Sequence, residues 1–380
     1  GIWRGVLQLN DSTELPFNFE IIKTAQSFRM EIINVNERII ADELTFKADS
    51  LFIKMPIFDS EFRLKIMDTA LTGNWINYAR QNDNTIAFKA IYNEPKRFIT
   101  TNNSTLKTKE RWKVIFEPNT KNEYSSVGEF NFNNGKATGT FTTETGDYRY
   151  LEGVLDKGKF MVSCFDGAHA FLFTAYKRID SLINGQFYSG KHSYEKWVAV
   201  QNDTFELRDP EKLTYLKDSK STLNFSFKNL EGTTVSLTDK RFKNKVVIVQ
   251  LMGSWCPNCM DETKFLAKFY DQYQPKGLEI VGLAFERTSD FNKSVANVTR
   301  LKNRFNAHYE FLITGKTDAN QASEALPILN KVMAFPTTII IDKKGRVRKI
   351  YTGFYGPATG NKYDQYVEQT TLFIEKLLKE

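Results

Sequence analysis

Two cysteines three positions apart, Cys256 and Cys259, stand where an apolar run hands over to an amphipathic one. The run Val246 to Met252 is long enough for a buried strand, and Gly253-Ser254 breaks it before helical spacing begins near Pro257. Cys256 therefore falls just before or within a first helical turn, where unpaired backbone N–H groups and the positive end of the helix dipole favour a thiolate. Cys259 lies one turn further in. A pair so spaced could bind zinc, form a structural disulfide or exchange disulfides. Zinc needs four ligands, and the chain offers one further cysteine, Cys164, and three histidines, none at ligand spacing near the pair. A disulfide closing so short a loop removes little chain entropy and is a poor staple. Redox exchange through a mixed disulfide is the chemistry that remains.

The elements that must position the pair follow in order. Phe265, Leu266, Phe269, Tyr270 and Tyr273 recur at helical spacing and mark the packing face of the helix. Glu262 is three residues after Cys259 and can share that side. Half-buried there, its carboxyl would have a raised pKa and could take the proton from Cys259; turned outward, it would only complement the helix N-terminus. Leu278 to Phe285 reads as a second buried strand, ending at Glu286, which is taken as an ordinary solvated acid. Phe291 to Phe305 carries a helical apolar face, Tyr309 to Ile313 reads as a third strand, and residues 316–330 as a polar-to-helical connection. Phe335-Pro336-Thr337-Thr338 then opens the apolar run Ile339 to Ile341, a strand entered through a proline. Asp342 to Gly345 makes a hairpin turn, and Tyr363 to Leu378 closes the chain with an amphipathic helix.

Trp255-Cys256-Pro257-Asn258-Cys259 resembles the WCxxC active site of thioredoxin-fold proteins, and its surroundings are most similar to the TlpA/ResA group of extracytoplasmic thiol-disulfide oxidoreductases. The likeness runs from about Leu223 to Glu380, and includes the FSFKNLEGTTVSLTDKRFKNKVVIV and FPTTIIIDKKG stretches. It implies a thioredoxin-like fold for residues 223–380, with Cys256 as nucleophile and Cys259 as resolving thiol. Glu262 would serve proton transfer, and Trp255, Pro257, Asn258, Phe335 and Pro336 would dock the substrate. Pro336 would be cis, with the backbone of Phe335 pairing an extended substrate. Where thioredoxins commonly carry a buried aspartate, this chain has Gln250, which cannot accept a proton. The resemblance also implies no cofactor beyond a redox-active Cys256–Cys259 disulfide and no metal. Reduction of protein disulfides, recharged by a membrane or soluble thiol donor, is the implied activity. The implied place is periplasmic, or anchored at the outer face of a bacterial membrane. Thiol peroxidase activity, and a ligand-binding or adaptor protein with an accessory redox domain, are the alternatives.

Residues 1–210 have a different texture. Phe17 to Ile21, Phe28 to Ile32, Phe52 to Met55, Phe62 to Ile66, Thr85 to Ala90 and Arg111 to Phe116 alternate or run apolar at strand length. Turn pairs are expected at Asn134-Gly135, Asp166-Gly167 and Asn184-Gly185. Such a series predicts an all-β domain, an antiparallel barrel ahead of a sandwich, because closure removes exposed edges. Gly1-Ile2-Trp3 faintly resembles the start of lipocalin-like barrels. Phe17, Phe19, Phe28, Phe52, Phe58, Phe62, Trp75 and Phe88 could line a ligand cavity, although core filling is the commoner use of such rings. Cys164 reads as a packing thiol, and no role is assigned to His169, His192 or His308.

Asp209-Pro210 and the polar stretch 211–222 read as a linker between the domains. The chain carries 52 basic and 45 acidic residues without a basic block, which suits a solvated surface rather than nucleic acid. It has no run of 18 apolar residues, and three cysteines exclude a disulfide-rich scaffold. It starts at Gly1 rather than methionine, which leaves room for a leader or lipid anchor upstream.

Overall fold

The computed structural model describes residues 1–80, 82–100, 105–218 and 222–380. The chain divides into two units. The first comprises residues 1–143 and 148–207, and the second residues 144–147 and 208–380.

The first unit is all-β, as its alternating sequence requires, but it holds two barrel-like sheets where one was expected. Nine antiparallel strands from Ile2–Asn10 to Thr85–Tyr92 form a meander in which the first and last strands pair. Its open edges are the short strands Glu37–Ala41 and Glu43–Lys47. Between Lys107–Phe116 and Ser193–Gln201, eight of the nine strands close into a ring, all but the two-residue Gly146–Asp147. Tyr124–Asn133 pairs with Lys107–Phe116 on one side and with Lys136–Thr143 on the other, which completes the ring. Two cores rather than one explain why some 200 residues of short strands stay compact: each barrel has its own inward face of aromatic rings.

Phe17, Phe19, Phe62, Trp75 and Phe88 fill the first core, whereas Phe28 and Phe52 are not buried. Phe165 of the second sheet enters the same core and stacks on Phe17 at 4.5 Å. Arg97, itself buried, ties the two sheets: it donates to the Ser163 carbonyl at 2.9 Å and to the Ile33 carbonyl, and pairs with Glu152 at 3.5 Å. Cys164 is buried among apolar side chains. Asn134-Gly135 and Asp166-Gly167 make turns, but Asn184-Gly185 does not. It lies within the strand Ser181–Ser189 at a shift of register, and Trp197 approaches so closely that a Cβ on Gly185 would overlap it.

The second unit is built on a seven-stranded sheet: β1 (Ser226–Asn229), β2 (Thr234–Ser236), β3 (Val246–Met252), β4 (Leu278–Ala284), β5 (Glu310–Ile313), β6 (Thr337–Ile341) and β7 (Val347–Thr352). Their order across the sheet is β2-β1-β5-β4-β3-β6-β7. β3, β4 and β5 run parallel, while β6 lies antiparallel to β3. The helices are α1 (Pro257–Tyr273), α2 (Phe291–Phe305), α3 (Ala319–Ala325) and α4 (Asn361–Lys379). Every residue of β3 is buried, Gln250 included, as its otherwise apolar run demands of a central strand covered on both faces.

Residues 211–217, read as linker from their polarity, pack on this unit. Leu213 and Thr214 are buried, Tyr215 N–H donates to Asn330 at 2.8 Å, and Leu216 bridges to Leu329. Residues 219–221, also within the expected linker, lie outside the described residues. No helix among the described residues is long and apolar enough to cross a membrane.

Candidate functional site

The central strand β3 delivers the cysteine pair to its carboxyl end, and the chain turns sharply at Gly253. A Cβ there would overlap the Trp255 indole, so glycine lets that ring fold back over the turn. Trp255 Nε1 donates to the Phe285 carbonyl at 2.9 Å, and the ring meets Phe335 edge-on at 6.0 Å. Cys256 caps α1, its Sγ accepting the Cys259 N–H at 3.3 Å, and Pro257 occupies the first helical position, where no donor is needed. Asn258 follows beside Gly146, whose φ of +150° and lack of a Cβ leave room for the amide.

Cys256 and Cys259 are free thiols with unequal access: Cys256 is 7% exposed and Cys259 is fully buried. The Cys256 thiol donates to the Phe335 carbonyl at 3.4 Å, across from the cis Phe335–Pro336 bond. Burial above all, then the Cys256 sulfur and the charge of Glu262, push the Cys259 pKa well above the ordinary thiol value. Only a hydrogen bond with the Gly253 backbone works against the rise.

Glu262 is buried, not a surface acid. Its Oε1 accepts from Thr338 Oγ1 at 2.5 Å and from the Tyr366 hydroxyl at 3.3 Å, and its Oε2 accepts from Gln250 Nε2 at 2.8 Å. α1, β6, α4 and β3 thus meet on one carboxyl group. The three donors favour the charged form, but burial outweighs them and raises the pKa to about 7. Gln250 takes part as a donor. The Tyr309 hydroxyl donates to its Oε1 at 3.2 Å, which turns its NH₂ toward Glu262.

Glu286 corrects the expectation of a solvated acid. It is buried at the end of β4, where Oε1 accepts the Ser254 N–H and Oε2 the Ser254 hydroxyl, both at 2.7 Å. Burial raises its pKa while these bonds oppose the rise. The two contacts pin the residue that precedes Trp255, a role that β4's sequence alone does not reveal. Tyr366 was legible only as a helix-face residue and Thr338 only as part of a strand. The signal that joins them is the acid on α1, since a buried carboxyl must find donors. Among the described residues no group of three or more His, Cys, Asp or Glu is arranged to hold a metal ion.

Residues 217–366 match the family model described as Redoxin. Over 130 residues the chain is 30% identical to the thiol-disulfide oxidoreductase ResA of Geobacillus thermodenitrificans (strain NG80-2), covering 34% of this chain and 66% of that protein. It thus spans just under two thirds of that relative's length. Over 163 residues it is 28% identical to ResA of Bacillus anthracis, covering 43% of this chain and 82% of that one. Among solved structures, a secreted thiol-disulfide isomerase from Corynebacterium glutamicum has 20% identity and a TM-score of 0.35, covering 47% of this chain and 99% of its own. A thiol-disulfide oxidoreductase from Bacteroides fragilis NCTC 9343 has 17% identity and a TM-score of 0.30, covering 39% and 99%. The family match falls on the unit that carries the cysteine pair. The Redoxin match thus lies within the second unit, at residues 217–366, a stretch of thioredoxin-like fold that is similar in sequence to the ResA thiol-disulfide oxidoreductases.

Proposed function

We propose that this chain is a thiol-disulfide oxidoreductase that reduces disulfides of protein partners outside the cytoplasm. The observation that carries the reading is the unequal pair: Cys256 keeps a small accessible area, 7%, at a helix N-terminus, while Cys259 is fully buried on the same helix as Glu262, a carboxyl poised at about 7. Cys256, as thiolate, attacks one sulfur of the partner disulfide. An S–S bond forms to Cys256, the partner's own S–S bond breaks, and its second sulfur leaves as a thiolate. Cys259 then gives its proton to Glu262 and attacks Cys256, releasing the partner's first sulfur. The partner gains two electrons and the cysteine pair loses them as a disulfide. A thiol donor, membrane-bound or soluble, restores the dithiol. Trp255, Pro257, Asn258, Phe335 and Pro336 form the docking surface, with the Phe335 backbone able to pair an extended substrate. The reductase direction and the extracytoplasmic setting rest on the resemblance to the ResA group.

The test combines trapping with a potential. Cys259→Ser is expected to hold a partner protein in a mixed disulfide that Cys256→Ser does not form. The Cys256/Cys259 couple is expected near the thioredoxin range, about −270 mV. A potential near that of a strong oxidant, about −120 mV, would reverse the assigned direction. Absence of any mixed disulfide would overturn the reading.

A further inference from the structure

Trp255 has a third neighbour that the catalytic scheme leaves unused. Arg287 leaves the loop after β4 with its guanidinium carbon 4.1 Å from the centre of the Trp255 ring, inside the cation–π range. Its neighbour Glu286 turns the opposite way, into the protein, to hold Ser254. The same short loop therefore pins the residue before Trp255 and lays a positive charge on the indole face. The residue as a whole is exposed, and the Trp255 ring lies against its guanidinium. Desolvation lowers its pKa, while the charges of Cys256 and Glu286 act to raise it. Glu286 is engaged inward, so the charge that Arg287 presents over Trp255, the residue before Cys256, is left to whatever docks there.

We propose that Arg287 sets the charge preference of this site, favouring disulfide partners that carry negative charge beside the attacked sulfur. The proposal rests on the oxidoreductase reading above and names the substrate class it would serve. In the exchange step negative charge is shared among three sulfurs, and a fixed cation nearby helps every disulfide alike. What discriminates is the partner's own charge. An acidic flank is drawn toward the guanidinium, and a basic flank is repelled. Arg287 is thus a specificity-determining residue, and the indole holds its cation beside the nucleophile.

The experiment uses the full chain with Cys259→Ser, so that only attack by Cys256 is read; Cys164 is buried and does not compete. Rates are measured with three small disulfides: anionic 5,5′-dithiobis(2-nitrobenzoate), neutral 2,2′-dithiodipyridine and cationic cystamine. Arg287→Gln is expected to lower the ratio of anionic to cationic rates about threefold and Arg287→Glu about tenfold, with Arg287→Lys close to the parent. The differences should shrink in high salt. If Arg287→Glu and Arg287→Gln slow all three disulfides by the same factor, Arg287 only shapes the surface and the charge preference is overturned, while the oxidoreductase reading stands. If the parent reacts with none of the three, that reading fails and the proposal fails with it.

Discussion

Replacing Glu262 by Gln keeps the side chain's size and removes its ability to accept a proton. The carboxyl sits in a pocket closed by Thr338, Tyr366 and Gln250, and its pKa is raised from 4.5 to about 7, an increase worth about 3 kcal/mol between its charged and neutral forms. Two consequences follow. In the wild type the resolving attack of Cys259 should accelerate as pH rises through about 7, where Glu262 becomes ionised. In the Gln variant that step should be slower by about 10²-fold and lose this inflection, while attack by Cys256 changes little. The second consequence concerns stability, and its sign follows from linkage. Between the unfolded value of 4.5 and the folded value of about 7 the folded state holds the extra proton. Wild-type stability should therefore fall as pH rises through that window, whereas the Gln variant should lack this component of the slope. Stopped-flow measurement of both half-reactions from pH 5 to 9, with denaturant melts over the same range, reads both effects. Superimposable pH profiles for the resolving step in the two proteins would refute the proton-acceptor role.

Cys256→Ala is expected to abolish reduction of a model disulfide, whereas Cys164→Ala, in a barrel core, should leave the rate nearly intact; a disulfide-reduction assay on both variants decides it. Arg97→Ala strips the carbonyls of Ile33 and Ser163 of this donor, while Glu152 keeps Lys136, so it should destabilise the first unit by about 1–3 kcal/mol for each group left unpaired, read as a lower denaturant midpoint. A fragment that begins near Ser221 lacks Leu213, Thr214, the Leu216–Leu329 bridge and residues 144–147. It should melt below a fragment that begins at Arg208, and equal melting temperatures would show that residues 208–220 contribute nothing.

The cysteine pair, the strand that carries it and the proline-led strand opposite were legible because local chemistry dictates them. An apolar run interrupted only by Gln250 fixes β3, and Pro257 can sit only at the start of α1. Glu262 was legible by spacing alone, since a residue three after Cys259 must share its side of a helix. Its donors were not. Thr338, Tyr366 and Gln250 come from three other elements, and only tertiary packing brings them to one carboxyl. Glu286 was misread for the same reason: a charged residue at a strand end is usually solvated, and nothing local announces that Ser254 will meet it. The single barrel became two because strand count is local information, whereas the division of strands between sheets is not. Residues 211–217 look polar, yet Leu213 is buried and Leu216 packs against the apolar core, which composition does not reveal.

The first barrel has a seam where the second has none. Glu37–Ala41 and Glu43–Lys47 follow one another in the chain with one residue between them, and each ends the sheet without pairing to the other. Phe28 and Phe46, with ring centres 5.2 Å apart, are in contact near these edges. Unpaired edges are where a foreign chain can add a strand and start a fibre, and proteins guard against this with brevity and charge. Both strands here are only five residues long, and Arg38, Glu43 and Lys47 lie along them. Read as protection against aggregation, these charges explain why an opening in the barrel wall is tolerated. Neutralising them would expose a self-association hazard that the closed second barrel does not carry.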